Sequence, residues 1–185
     1  EAYGSIDAGI GSFNTQRGTL RFGTGLMKNG FTVDGRVSRI TSDGYIDRAS
    51  SELNGYYLSA AKTGDKSVLR FNLFGGNEIT YQAWYGVPAD LVEDRDLRRT
   101  NVAGTEKEGD PYDREVDDYG QTHAQLHYSL DLGNNLGLNL SGHYTKGAGF
   151  FEQYKGGEDL ADYGITAVSP GNDTVLSSDL IRRRW

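Results

Sequence analysis

Apolar and polar side chains alternate at every second position along much of this chain, and this feature most restricts how the chain can fold. The segment from Tyr119 to Leu132 shows the alternation most clearly. Its apolar positions are Ala124, Leu126, Tyr128, Leu130 and Leu132. Its polar positions are Gln121, His123, Gln125, His127, Ser129 and Asp131. Because successive side chains of a β-strand point to opposite faces, the segment is predicted to be a strand with one apolar and one polar face.

The same period of two recurs along the chain, and no segment shows a competing helical period. We predict strands at 5–12, 17–26, 31–40, 55–62, 68–75, 119–132 and 136–145, and the start of a further strand near Ile181. The sequence therefore predicts an all-β, antiparallel fold whose strands each have an apolar face. That face meets either a protein core or lipid.

The predicted connections alternate between short and long. Short turns are predicted at 28–30, 64–66 and 133–135, and long connections at 41–54, 76–118 and 146–178. Alternate connections of an antiparallel meander lie at opposite ends of the sheet, so the short turns share one end. This arrangement is typical of outer-membrane β-barrels, whose strands need about 9–11 residues to cross the bilayer. A soluble β-sandwich also alternates apolar and polar positions and remains the alternative.

Composition excludes several other classes of protein. The 185 residues include 26 Gly and only 3 Pro, together with 12 Tyr and 7 Phe, which is typical of an ordered β-protein with tight turns. A net charge of −7 argues against a nucleic-acid partner, since phosphate binding needs a basic surface. The chain has no Cys, which excludes disulfides and thiolate metal sites. No apolar run approaches the roughly 18 residues of a transmembrane helix.

Three stretches of the sequence resemble a known family. The stretch "GSFNTQRGTLRFGTGL" at 11–26 resembles the first barrel hairpin of TonB-dependent outer-membrane receptors. The stretch "RVSRITSDGYIDRASSELNGYYLSA" at 36–60 resembles the next hairpin of that family. The stretch "GNEITYQAWYGVP" at 76–88 is similar to the outer end of the fifth strand in receptors of the Bacteroides group.

The resemblance implies that residues 1–185 are the N-terminal portion of a receptor β-barrel, with roughly eight of about 22 meandering strands and open edges. We expect the plug domain, the TonB box and the C-terminal barrel strands to lie outside this sequence. The implied protein resides in the bacterial outer membrane and takes up a scarce nutrient of the ferric siderophore, haem or cobalamin type, without a cofactor of its own. Its implied partners are that nutrient or metal chelate, outer-membrane lipid, and the TonB complex through the missing plug. An outer turn is expected at 14–17.

Two aromatic clusters follow predicted strands five and seven, and two arginines lie on the connection between them. Flat aromatic side chains suit a hydrophobic or chelate-bearing ligand, and arginine attracts an anionic one. We predict that an outer vestibule, where ligand first binds, is formed in part by Tyr81, Trp84, Tyr85, Arg98, Arg99, Phe150 and Phe151. The alternatives are that the aromatics form an interface girdle and that the arginines pair with nearby acids.

Three histidines lie on the predicted polar faces. If the turn at 133–135 closes a hairpin, His143 faces Gln125, and His123 and His127 are its diagonal neighbours. Residues four apart on one strand are about 13 Å apart, so His123 and His127 cannot chelate one ion together. Hydrogen-bonded histidines are therefore predicted, and no metal site is.

No motif of an enzyme is present. The sequence has no nucleophile elbow, phosphate-binding loop or metal-hydrolase motif, so we assign no catalytic residue. The segment 106–118 has seven acidic and two basic residues, but their spacing does not place a glycine and a terminal glutamate where an EF-hand calcium-binding loop has them. A solvated loop is predicted there. The alternative function is a soluble β-sandwich binding module, for example for carbohydrate, that uses the same aromatics.

Overall fold

The computed structural model describes residues 1–167, 171 and 174–185, and strands contain most of them. They are β1 (Tyr3–Gly11), β2 (Thr15–Gly23), β3 (Phe31–Ser42), β4 (Ser51–Thr63), β5 (Ser67–Tyr81), β6 (Val116–Gly133), β7 (Leu136–Asp159) and β8 (Ser177–Arg184). These eight strands form one sheet in the order of the chain. The all-β antiparallel prediction is confirmed, and the sheet is open because β1 and β8 are its two edges.

One short 3-10 helix, Leu160–Tyr163, follows β7. Within the described ranges, no helix has the length and apolar character needed to cross a membrane.

The strand register explains why the alternation is so regular. Ile6 is paired with Leu20, Leu20 with Val37, and Val37 with Tyr56, so one face is apolar across β1 to β4. A slip of one residue would move every one of these side chains to the opposite face. The register and the hydrophobic pattern therefore specify the same two faces.

The strands extend further than predicted at the end with the long connections. β5 continues to Tyr81 and β7 to Asp159, whereas residues 76–81 and 146–159 had been predicted as connections. In the added part of β7, Phe151 is paired with Arg184 of β8. Around Glu152 the prediction was wrong because Phe151 contacts Trp84 on one face and Glu152 contacts Tyr112 on the other, so the sequence shows no apolar–polar contrast there.

The turn between β1 and β2 also differs from the prediction at 14–17. It consists of residues 12–14, with Phe13 and Asn14 at positive φ of 57° and 52°. The Thr15 amide donates to the Ser12 carbonyl at 3.2 Å and closes the turn. A left-handed conformation is unusual for an aromatic residue, so the pattern gave no reason to place Phe13 in the turn.

The alternation of connection lengths is confirmed from β3 onward. The connections are 43–50, 64–66, 82–115, 134–135 and 160–176. The predicted short turn between β2 and β3 is longer than expected, at residues 24–30.

The chain divides into two compact units. The first, here called the sheet unit, contains residues 1–44, 50–79 and 119–149. The second, here called the loop unit, contains 45–49, 80–118 and 150–185.

The sheet unit leaves its apolar face uncovered. Ile6, Ile10 and Leu140 are 82%, 93% and 56% exposed, and Ala61 is the sole buried apolar residue that this unit shows in the described ranges. A β-sandwich would bury such a face against a second sheet. All the described strands belong to one sheet, so the sandwich alternative is wrong.

Candidate functional site

A small core fixes the base of the connection between β5 and β6, residues 82–115. It consists of Tyr81, Ala103 and Val116, all buried. The Tyr81 hydroxyl donates to the Tyr112 carbonyl at 2.5 Å. A side chain on Gly104, whose φ is +79°, would collide with that hydroxyl at 2.5 Å. Tyr81, predicted to line a vestibule, therefore lies in this core and is 6% exposed.

Arg48 holds the middle of the same connection, although the sequence gave no signal for it. One of its terminal nitrogens donates to the carbonyls of Asn101 and Ala103, at 2.6 and 2.8 Å. Asn101 is buried, and its side-chain amide donates to the carbonyls of Asp47 and Gln82. Residues 45–49 and 82–103 are thus joined within the loop unit by a network of polar contacts.

The two predicted anion-binding arginines differ in their surroundings. Arg99 donates to the Tyr45 carbonyl at 2.7 Å and pairs with Asp47 at 3.6 Å. The Arg99 guanidinium also lies over the Tyr45 ring, 5.6 Å from its centre. Arg98 is exposed. Arg99 therefore joins two connections, and its acidic partner lies in 43–50 and not in the acidic segment.

An exposed aromatic surface is formed by three of the predicted residues, Trp84, Tyr85 and Phe151. The ring of Trp84 meets that of Phe151 edge to face, with centres 4.6 Å apart. The Tyr85 hydroxyl accepts from the side-chain amide of Gln153 at 3.4 Å. Trp84 and Tyr85 are 52% and 56% exposed, so this surface can contact a ligand through flat rings.

Phe150 does not belong to this aromatic surface. It precedes Phe151 in β7, so the two rings point to opposite faces. The guanidinium of Arg183 lies 4.5 Å from the centre of the Phe150 ring, and the ring of Trp185 lies 5.5 Å away. The structure therefore separates the predicted cluster into two groups and also shows that Phe150 and Phe151 lie within β7, not after it.

A buried carboxylate lies beside the aromatic surface, on the Phe150 face of β7. Glu152 is 1% exposed. It accepts hydrogen bonds from the Tyr112 hydroxyl and from Nε of Arg183, both at 2.6 Å, and lies 3.6 Å from Nε of Arg114. Burial acts to raise the pKa of Glu152, but these donors and the two positive charges outweigh burial, so the pKa lies below its usual range.

Sequence reasoning missed Glu152, because its partners come from a distant connection and from β8. The one available signal is an acid in a strand followed by the basic run Arg182 to Arg184. The pairing of Glu152 with Arg183 depends on the register of β7 and β8. That register cannot be read from the sequence.

The acidic segment 106–118 is more ordered than a solvated loop. Glu115 is 3% exposed and accepts from the Tyr154 amide at 3.2 Å. Burial raises the pKa of Glu115. Glu106 pairs with Lys155 at 2.5 Å. The prediction of a solvated loop is therefore wrong for Glu115, whereas Glu106 is exposed. The described residues contain no group of three or more side chains arranged to hold a metal ion.

The histidines form the predicted hydrogen bonds across the β6–β7 hairpin. Gln125 and His143 face each other, with 3.5 Å between their side-chain nitrogens. His123 lies 2.9 Å from the Thr145 hydroxyl, and His127 lies 2.9 Å from the Ser141 hydroxyl. A tight turn fixed this register, which made the prediction possible.

Comparison with known proteins places the fold. No family model and no curated protein matches the chain. The chain is similar in structure to the closed form of the ferric-catecholate import receptor Fiu from E. coli K12, with a TM-score of 0.66 and 16% identity. The match covers 99% of this chain and 26% of that receptor, so the chain spans about a quarter of its length. The open antiparallel sheet described above therefore has the fold of a segment of a TonB-dependent receptor β-barrel.

Proposed function

We propose that this chain is a segment of the β-barrel of a TonB-dependent outer-membrane receptor. The observation that carries the proposal is the uncovered apolar face of the sheet unit, with Ile10 93% and Leu126 50% exposed. Soluble proteins rarely expose an apolar surface of this extent, whereas the outward face of a membrane barrel is covered by lipid. The opposite face, with His123 and Gln125, then borders the interior of the barrel.

The segments at 11–26 and 36–60 support a place in the N-terminal portion of the barrel, and the segment at 76–88 supports a likeness to receptors of the Bacteroides group. In this proposal the remaining strands, the plug and the contact with the TonB complex belong to a longer protein.

We infer that the receptor binds and imports a scarce nutrient and catalyses no reaction. Fiu imports ferric catecholates, and a ferric siderophore is the first candidate here, followed by haem and cobalamin. The aromatic surface supports this proposal, because Trp84 and Tyr85 offer exposed rings at the start of the connection 82–115. Arg98 is exposed on the same connection and adds attraction for an anionic chelate.

Uptake by the full-length receptor tests this function. Trp84→Ala and Phe151→Ala should each lower uptake of a ferric catecholate, haem or cobalamin about tenfold, because a lost aromatic contact weakens capture. Barrel abundance in the outer membrane should not change, and uptake should require TonB. Leu126→Ala, on the apolar face, is the matched control and should leave uptake unchanged. Uptake that falls only in proportion to abundance would assign the aromatics to membrane anchoring.

A further inference from the structure

Both ends of the connection 82–115 contact one three-residue stretch of β7, residues 151–153. At its start, Trp84 packs on Phe151 and Tyr85 accepts a hydrogen bond from Gln153. At its end, Tyr112 and Arg114 contact Glu152, the residue between them. Neighbouring residues of a strand point to opposite faces, so the two ends of the connection hold the 151–153 stretch from opposite sides.

The two attachments differ in strength. The start is held by one edge-to-face ring contact and one hydrogen bond of 3.4 Å. The end is held by a carboxylate that is 1% exposed, accepts a hydrogen bond of 2.6 Å from Tyr112 and lies 3.6 Å from Nε of Arg114. Charge-assisted hydrogen bonds are the strong kind, and a buried carboxylate that loses its donors is costly. The attachment at Glu152 therefore dominates.

Neighbouring contacts strengthen the attachment at the end of the connection. Glu106 pairs with Lys155, and the Glu115 carboxylate accepts from the Tyr154 amide. These contacts keep residues 106–115 against β7, and the start of the connection is joined to its end because the Gln82 amide donates to the Glu115 carbonyl at 2.7 Å.

We propose that Glu152 is the positioning residue of the aromatic surface. By binding Tyr112 and Arg114 it fixes the connection 82–115, and it thereby holds Trp84 and Tyr85 against β7 in the arrangement that receives ligand. This role rests on the proposed function, which gives the aromatic surface its ligand. Glu152 itself is buried and does not touch the ligand.

The first measurement reports how readily the end of the connection 82–115 opens, and it needs no ligand. Hydrogen exchange of the amides at 104–116 is measured in the full-length receptor in lipid nanodiscs. Glu152→Gln removes the charge, and Tyr112→Phe removes one hydrogen bond but leaves Glu152 with Arg183. Exchange should accelerate about tenfold or more in Glu152→Gln and by a smaller factor in Tyr112→Phe. Tyr163→Phe, which loses a similar hydrogen bond to Glu158, is the matched control and should change nothing at 104–116.

The second measurement is binding of a ferric tris-catecholate complex, haemin and cyanocobalamin to the same receptors. Tyr112→Phe and Glu152→Gln should weaken the affinity for the probe that the unmodified receptor binds, while the number of sites stays the same. If Glu152 acts through Trp84, then Tyr112→Phe should cause little further loss in a receptor that already carries Trp84→Ala. A general loss of structure would lower the number of sites instead.

The outcomes separate this inference from the function on which it rests. Unchanged exchange at 104–116 in Glu152→Gln overturns the attachment itself. Faster exchange with unchanged affinity, or losses that add fully in the Trp84→Ala background, overturns the positioning role and leaves the receptor function intact. An unmodified receptor that binds none of the three probes refutes the proposed ligand classes, and the positioning role with them.

Discussion

The sheet unit and the loop unit achieve stability in different ways. The sheet unit exposes its apolar face and shows Ala61 as its sole buried apolar residue in the described ranges. The loop unit has a small core around Tyr81 and buries two carboxylates, Glu115 and Glu152. The comparison indicates that the sheet unit needs an apolar medium to complete it, whereas the loop unit supplies its own buried contacts, many of them polar.

Aromatic rings lie over glycines of the neighbouring strand at two places in the sheet unit. A Cβ on Gly35 would lie 2.4 Å from the ring of Phe22, the residue paired with it in β2. A Cβ on Gly23 would lie 2.2 Å from the ring of Tyr3. Each ring thus covers bare backbone of the neighbouring strand, so the sheet is stabilised by contacts within one layer.

The largest expected effect tests the need of the sheet unit for an apolar medium. Phe71 lies on the apolar face of β5, and Asn72 lies on the polar face. Phe71→Arg should cost about 2–4 kcal/mol of folding free energy in the complete barrel if it lies near the bilayer midplane. Asn72→Arg should cost less, because it loses only hydrogen bonds with Ser59 and Gln125. The measurement is reversible unfolding of the full-length barrel in lipid vesicles, and equal costs would contradict the assignment of the faces.

An intermediate effect tests whether the loop unit supplies its own stability. Arg48→Ala removes two hydrogen bonds to the carbonyls of Asn101 and Ala103 and should lower the free energy of local opening by about 1–3 kcal/mol. Hydrogen exchange of amides 101–105 measures this loss, and the hairpin at 121–145 serves as the internal control. Opening of the hairpin as well would show that the two units are not separately stabilised.

The sequence predicted the two regions unequally, for a physical reason. In the sheet unit each face of the sheet has uniform surroundings, so the alternation of apolar and polar residues predicted the strands. The tight turn between β6 and β7 also fixed the register that places His143 opposite Gln125. In the loop unit the contacts join residues far apart in the sequence, such as Arg48 with Asn101. No local sequence pattern indicates such pairs, so the contacts of Glu152 with Tyr112, Arg114 and Arg183 could not be predicted.

The smallest expected effect compares the two buried carboxylates of the loop unit, which differ in the direction of their pKa shifts. Burial raises the pKa of Glu115, although the amides of Tyr154 and Gly104 and the charge of Lys155 oppose this and the charge of Glu106 adds to it. Burial alone would also raise the pKa of Glu152, but its donors and two arginines hold the pKa below its usual range.

The sign of the pH dependence follows from these directions. Because the folded state binds the Glu115 proton more tightly than the open state does, the local structure gains stability as the pH falls from neutral through the raised pKa of Glu115 towards the ordinary glutamate value. The contribution of Glu152 is kept throughout this window and is lost only as the pH falls below the ordinary value, through its lowered pKa. The protection of amides 112–116, corrected for intrinsic exchange rates, should therefore rise on mild acidification, and by less than the two effects above. Glu115→Gln should abolish this rise, whereas Glu152→Gln should lower protection across the whole window. Protection that falls on mild acidification in the unmodified receptor would mean that the Glu115 carboxylate stabilises the structure in its charged form.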